Sequence, residues 1–234
     1  MPIFLIDLPP NEMERRLSDA LGVYVDAMRY PRGTVNQRAA MWLEHIRRRG
    51  WQAVAAVEMP DTAEPIGEVA VAGGPTHNPT HNGPPNGFPN RSPNRSPNRD
   101  VPSAVELSKA PLLGVAYGYP GAPGQWWQQQ VVLGLQRGGS PPQEIDRLMT
   151  SYFELTELHI HPRVQGRGLG EALARRLLAG RSERNVLLST PETNGKSNRA
   201  WRLYRRLGFT DVIRRYHFAG DPRAFAILGR ALPL

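Results

Sequence analysis

The stretch Gln165-Gly166-Arg167-Gly168-Leu169-Gly170 decides how this chain is read. It follows an apolar segment, Tyr152 to Ile160, that closes at His161-Pro162. It opens a segment in which Leu169, Leu173 and Leu177 recur every four residues, the spacing of one helix face. Strand, glycine-rich turn and helix in that order point backbone N–H groups at an anion and add the positive end of a helix dipole. Side chains in the turn would hold a phosphate away from the backbone, so glycines are required there. The expected ligand carries phosphates.

Two other phosphate-binding patterns fail on the letters. The dinucleotide fingerprint G-x-G-x-x-G, started from Gly166, needs glycine where Glu171 stands. Gly195-Lys196-Ser197 looks like the end of a P-loop, but the leading glycine of that motif would fall at Thr190. The run instead resembles the signature of the GNAT superfamily of acetyl-CoA-dependent N-acetyltransferases. Their cofactor loop reads Q/R-x-x-G-x-G/A, matched by Gln165, Gly168 and Gly170. A second element, Ser197 to Phe209, is similar to the family's Asn-x-x-Ala-x-x-Leu-Tyr-x-x-Leu-Gly-Phe. Ala200, Leu203, Tyr204, Leu207, Gly208 and Phe209 fit it, while Ser197 stands in the asparagine position with Asn198 beside it. Serine there still caps a helix. The resemblance covers residues 152 to 229 well and the N-terminal half loosely.

The resemblance implies an α/β fold of the α+β type: a GNAT-like mixed, mostly antiparallel seven-stranded sheet with helices on both faces and a splayed central strand pair. The implied order is β, α, α, β, β, β, α, β, α, β, β, with the fourth and fifth strands parting to admit the pantetheine arm of acetyl-CoA. Leu158, His159 and Ile160 would hydrogen-bond the pantetheine through their backbone. Gly166, Arg167, Gly168, Leu169, Gly170 and Glu171 would wrap the pyrophosphate, with Gln165 and Ser197 completing the cofactor set. Arg163 and Arg167 are placed to pair with phosphate oxygens, or are simply solvated arginines of a basic protein.

Composition narrows the classes. Across 234 residues, 29 basic against 21 acidic side chains leave a net charge of +8. That favours polyanionic partners, coenzyme A among them, and is equally what an arginine-rich genome would produce. The arginines are dispersed and no stripe of stacking aromatics runs between them, which argues against nucleic acid. Cysteine is absent, which excludes disulfides, thiolate metal sites and a cysteine-linked acetyl-enzyme. Direct transfer in a ternary complex is therefore favoured over a ping-pong route. The first ten residues lack a basic region followed by a long apolar core, and no run approaches 18 apolar residues. A cytoplasmic protein without a membrane segment is the expectation.

The length suits one acetyltransferase domain, 1–234, interrupted by an insert at about 73–108 that is expected to be disordered. From Gly73 to Asp100 Pro, Asn, Gly, Arg and Ser dominate, and Asn90-Arg91-Ser92-Pro93 recurs as Asn94-Arg95-Ser96-Pro97. Such a stretch buries too little apolar surface to offset its ordering entropy. Around it, strands are expected at Ile3–Leu8, Trp51–Glu58, Leu112–Tyr119, Asp211–Phe218 and Arg223–Leu228, with a weak one at Ile66–Ala72. Helices are expected at Glu12–Met28 and Thr34–Arg48, and a mixed one ends near Gly138. Trp126 and Trp127 either line an acceptor pocket or fill the core, with one facing each way the favoured arrangement.

Transfer to a primary amine needs a neutral amine, a donor for the oxyanion and a proton for the leaving thiolate. A lysine of ordinary pKa is neutral in roughly one molecule in 2,500 at pH 7, so a base is required. Glu154 lies eleven residues before Gln165, where a lysine-acetylating branch of the family carries its glutamate, and strand parity puts it with Leu158 and Ile160. Glu192, twelve residues before Tyr204, matches the base of a branch that acetylates protein N-termini. Glu157 has the opposite parity and ranks third. Tyr204 resembles the tyrosine set beside the cofactor sulfur, although its ring also fits the apolar stripe of Ala200, Leu203 and Leu207. His159 and His161 share a strand face but lack a third ligand, so hydrogen bonding rather than metal is expected. The acceptor class stays open between protein lysine, peptide N-terminus and small-molecule amine. The rival is a non-catalytic acyl-CoA-binding or regulatory domain on the same fold.

Overall fold

The computed structural model describes residues 1–59, 102–192 and 199–234. In chain order the elements are β1 (Ile3–Asp7), α1 (Pro10–Arg15), α2 (Leu17–Met28), α3 (Thr34–Ile46), β2 (Gln52–Glu58), α4 (Ala104–Lys109), β3 (Leu112–Pro120), α5 (Trp126–Arg137) and α6 (Pro142–Met149). There follow β4 (Tyr152–Ile160), a 3₁₀ turn (Pro162–Val164), α7 (Leu169–Leu178), β5 (Asn185–Pro191), α8 (Arg199–Arg206), β6 (Thr210–Tyr216) and β7 (Phe225–Ala231). The seven strands form one sheet in the order β1-β2-β3-β4-β5-β7-β6. Every neighbouring pair is antiparallel except β4–β5, whose parallel pairing needs the crossover that α7 supplies. Among the described residues, no helix is long and apolar enough to cross a membrane.

Several elements depart from the sequence expectation. The helix expected over Glu12–Met28 is two helices, broken at Arg16 with φ −103° and ψ 15°. The break lets both Met13 and Ala20-Leu21 reach the core, and the buried Arg16 donates to the Ala110 carbonyl at 2.5 Å. The insert drawn at 73–108 overlaps structure at its end, because Ser103 and Glu106 form a capping box that starts α4. Ile66–Ala72 and the Asn-Arg-Ser-Pro repeat lie outside the described residues. Helix α6 was not expected: Pro142 opens it, and Ile145 and Met149, four apart, bury its narrow apolar face.

Alternation along the strands divides the core. On one face α1, α2 and α3 cover β1–β3 through Met13, Leu21, Trp42, Ala55, Val115 and Tyr117, while α5 and α6 cover the β5–β7 side. On the other face α7 and α8 pack on Val54, Ala116, Leu155, Leu188 and Leu228.

Strand β4 carries the feature that positions the site. Its register on β3 shifts by one residue, Tyr117 facing Glu157 while Gly118 faces Leu155, so Thr156 is an extra residue in a bulge. Parity therefore reverses at Thr156. Phe153, Leu155, Leu158 and Ile160 all join the α7–α8 core, and Glu154 sits on the opposite face with Glu157 and His159. This corrects the sequence expectation that grouped Glu154 with Leu158 and Ile160 against Glu157: simple alternation does not survive a bulge. Gly118 makes the crossing possible, since a Cβ there would stand 2.1 Å from the Glu154 carbonyl oxygen and 2.5 Å from the Phe153 ring.

Beyond the bulge β4 leaves its other neighbour. It pairs with β5 only at Tyr152, Phe153 and Glu154, and from Leu155 onward the two strands part. The expected splay of the fourth and fifth strands is present.

Candidate active site

The glycine-rich turn lies where β4 ends and α7 begins. Gly166 (φ +84°) and Gly168 (φ +79°) adopt the left-handed conformation that side chains disfavour, and a Cβ at either would meet nothing within 4 Å. Glycine is thus required by the backbone, and the space above it is open. The amides of Gly166 to Glu171 donate to no backbone carbonyl among the described residues. They converge with the positive end of α7. Leu169 packs on the α7–α8 core, Gly170 lies against Leu203 and Leu158, and Glu171 pairs with Arg175.

Gln165 has a different task from the one its neighbours suggest. Its Nε2 donates to the Ile160 carbonyl at 2.9 Å and its Oε1 accepts from Arg199 Nη1 at 2.9 Å. It is a strut between β4, the turn and α8. Arg163 is engaged bidentately by Glu58, at 3.0 and 2.7 Å, leaving Arg167 as the exposed guanidinium of the turn. Ser197 lies outside the described residues.

Leu158, His159 and Ile160 form the part of β4 that has left β5, so their backbone edges the opening. Leu158 and Ile160 anchor it in the apolar core. His159 Nε2 meets Glu157 Oε2 at 2.5 Å, and the Tyr24 ring stands edge-on to it at 4.9 Å. His161 pairs with Asp26 at 3.3 Å, so both strand histidines are hydrogen-bonded.

The catalytic candidates fall into two groups. Tyr204, on α8, is buried against Phe209 with ring centroids 5.6 Å apart. Burial and then the Glu157 carboxylate push its pKa above the ordinary phenol value, so it keeps its proton at neutral pH. The charge of Glu157 is felt at Tyr204 although the two side chains belong to opposite sheet faces. Glu154 is buried one bulge further along. Its Oε1 accepts from the Tyr119 hydroxyl at 3.3 Å, and Oε2 has no partner among the described residues. Burial pushes its pKa up from 4.5 to about 8. Glu192 differs sharply: Arg214 grips it at 2.7 and 3.3 Å and the Arg215 amide donates at 2.8 Å. Those bonds hold its pKa below the usual carboxylate value, the wrong direction for a proton acceptor.

Around Glu154 the structure assembles residues that the letters did not connect. Tyr119 and Tyr152 flank it, and the buried Tyr152 hydroxyl also has no partner among the described residues. His45 Nδ1 meets the Tyr117 hydroxyl at 3.0 Å, and burial lowers its pKa to about 4, so it is neutral. The available signal was Tyr117 and Tyr119 two apart on one strand, but only pairing with β4 gives it meaning. The adjacent tryptophans face opposite ways as expected: Trp127 is buried and donates to Ser189 Oγ at 3.2 Å, while Trp126 is 51% exposed beside Phe218. Arg223 joins the β6–β7 loop to the end of α2, donating to Tyr30 at 2.7 Å while holding Asp221.

The family model of the acetyltransferase (GNAT) domain matches residues 130–211. A GCN5-like protein acetyltransferase of Mycobacterium tuberculosis, Rv2170, is 72% identical over 234 residues, all of both chains. This chain belongs to the GNAT family of acetyltransferases. It is therefore an acyltransferase, and the rival reading of a non-catalytic domain gives way. Solved structures share the fold. A GNAT-family protein from Desulfovibrio desulfuricans has a TM-score of 0.53 at 13% identity, covering 98% of this chain and 99% of that one. An N-acetyltransferase from Staphylococcus aureus Mu50 has a TM-score of 0.51 at 13% identity and 99% coverage of each. At such identities the GNAT fold alone is shared.

Proposed function

We propose that this GNAT acetyltransferase moves an acetyl group from acetyl-CoA to a primary amine of a protein, by direct transfer in a ternary complex. The observation that carries the reading is the parting of β4 from β5 beside six amides at the start of α7 that donate to no backbone carbonyl among the described residues. Pyrophosphate suits those amides and Arg167, and the pantetheine arm suits the free edge at Leu158, His159 and Ile160. The protein amine, lysine or N-terminal, follows the name of the 72% identical relative.

The chain's own residues supply the proton handling. Glu154 takes a proton from the incoming ammonium, a role that suits a carboxyl whose pKa is about 8. The free amine then forms the new C–N bond at the acetyl carbonyl. A backbone N–H on the unpaired stretch of β4 steadies the oxyanion. As the C–S bond breaks, the Tyr204 hydroxyl gives its proton to the thiolate, and the surplus proton of the new amide nitrogen restores the phenol; its raised pKa keeps Tyr204 protonated at neutral pH. Glu157 is the second candidate for the base, because its carboxylate acts on Tyr204.

The test is calorimetric titration with acetyl-CoA, joined to thiol release on a panel of protein, peptide and small-molecule amines. Binding with turnover on protein amines is expected, and Gly168→Val should weaken binding. Turnover confined to small amines would overturn the acceptor, and absence of acetyl-CoA binding would overturn the whole reading.

A further inference from the structure

Among the described residues, the cation acting on Glu154 is Arg48, at the turn between α3 and β2. Arg48 does not touch the carboxyl. Its guanidinium lies 4.5 Å from the centroid of the Tyr119 ring, and the Tyr119 hydroxyl donates to Glu154 Oε1 at 3.3 Å. Glu44, one helical turn back, holds Arg48 in place through a 3.0 Å bond from Nη2. A cation over a phenol face is attracted by the ring and makes the hydroxyl a stronger donor. The three groups therefore form a line from the rim of the fold to the buried carboxyl.

We propose that Arg48 is a positioning residue that sets, through Tyr119, the proton affinity of Glu154. The groups facing that carboxyl are Tyr119 from β3, Tyr152, Thr156 and Glu157 from β4, and Arg48 from the α3–β2 turn, while Leu187 opposite it on β5 is apolar. His45, whose ring lies 5.3 Å from Tyr119, is neutral. The fixed charges are thus Arg48, which favours the carboxylate, and Glu157, which opposes it. Without Arg48, desolvation and Glu157 are opposed only by the hydrogen bonds of Tyr119 and Thr156, and Glu154 holds its proton to higher pH. With a pKa of about 8 the carboxyl is already mostly protonated at neutral pH, and losing Arg48 would cut the fraction able to accept by a further roughly 3–10-fold. Tyr119 cannot substitute for the cation, since a phenol bond stabilises the carboxylate without supplying charge.

The consequence for catalysis rests on the reading of Glu154 as the base, so the decisive measurement is independent of turnover. Proteins labelled with ¹³C at glutamate carboxyls are titrated by NMR, with Glu154→Gln identifying the resonance. Arg48→Met should raise the Glu154 midpoint by roughly 0.5–1 unit, less than the 1–3 units of a directly contacting charge. Arg48→Lys should restore most of it. The acid limb of the pH–rate profile should move by the same amount, with acetyl-CoA affinity unchanged. An unmoved midpoint in Arg48→Met, or a failure of Arg48→Lys to restore it, overturns the proposal. If the methionine variant misfolds, Arg48→Gln removes the charge while keeping a polar stem. A midpoint that moves while the rate profile stays still supports the hold of Arg48 on Glu154 and refutes Glu154 as the base.

Discussion

The two faces of β4 are built on opposite principles. Toward α7 and α8 the strand presents Phe153, Leu155, Leu158 and Ile160, packed with Leu173, Leu177, Leu203 and Val186. That face is stabilised by area and by close fit. Toward α1–α3 and α5 it presents Tyr152, Glu154, Glu157 and His159, and there burial runs ahead of pairing. The Tyr152 hydroxyl and Glu154 Oε2 are buried without partners among the described residues, an arrangement that lowers stability and is tolerated where chemistry needs it. A single strand can therefore hold the sheet together on one side and shift proton affinities on the other. The condition is that the two sets of residues never exchange faces, and the bulge at Thr156 enforces it.

Gly118→Val breaks the comparison most severely, whereas deleting Thr156, the extra residue, would leave plain alternation and the same two faces. A side chain at Gly118 would collide with the Glu154 carbonyl oxygen and the Phe153 ring, so β4 must be pushed off β3 where the faces are set. Overpacking in a core costs about 1–3 kcal/mol and more where backbone is in the way, against a total stability of roughly 5–15 kcal/mol. Circular-dichroism melts should lose their cooperative transition; a normal melt would show that the close approach at Gly118 is dispensable.

Substitutions that leave the faces intact should separate chemistry from packing. Tyr204→Phe should lower turnover by about 10²–10⁴-fold with cofactor affinity preserved. Glu154→Gln should do likewise near neutral pH and recover as alkaline pH supplies free amine. Glu157→Gln serves as the control: if it, and not Glu154→Gln, abolishes the acid limb of the rate profile, the base is Glu157. Near-normal turnover in Tyr204→Phe would reduce that ring to core packing.

On the apolar face, Leu155→Ala should cost about 2–5 kcal/mol in a denaturant melt while the pH–rate profile keeps its shape. A shifted profile would mean that the two faces are coupled.

The smallest effect sharpens the contrast through linkage. The folded-state pKa of Glu154, about 8, lies above the ordinary 4.5, so burial favours the protonated form. The stability this supports is complete below about pH 4.5 and is lost as pH rises through 8. Glu154→Gln has no proton to lose, so its melting temperature should gain on the wild type as pH rises. The comparison is best read above pH 6.5, because neutral His45, with its pKa lowered to about 4, adds a separate loss on the acid side. Parallel melting curves across that window would contradict the buried, raised carboxyl.

What could be read without the structure was local. The turn at Gln165–Gly170, the helix that follows, the strand Tyr152–Ile160 and the helix carrying Tyr204 all depend on neighbours a few residues away, where turn chemistry and periodicity act. The family resemblance was legible for the same reason, since both motifs are contiguous. The break at Arg16 and the helix at Pro142–Met149 were less legible, the first because its partner is Ala110 and the second because two apolar residues make a faint stripe.

The chemistry of individual residues was decided by tertiary structure. Glu154 lies within a strand and Glu192 directly after one, yet the first is left half-paired by Tyr119 and the second is neutralised by Arg214, residues 35 and 22 positions away. Parity along β4 could not be counted from the sequence, because the extra residue at Thr156 exists only relative to the register of β3. Sequence fixes which side chains a strand carries and in what order. Which face each one occupies, and what charge it meets there, depends on pairing with distant segments, and short-range periodicity holds no information about that.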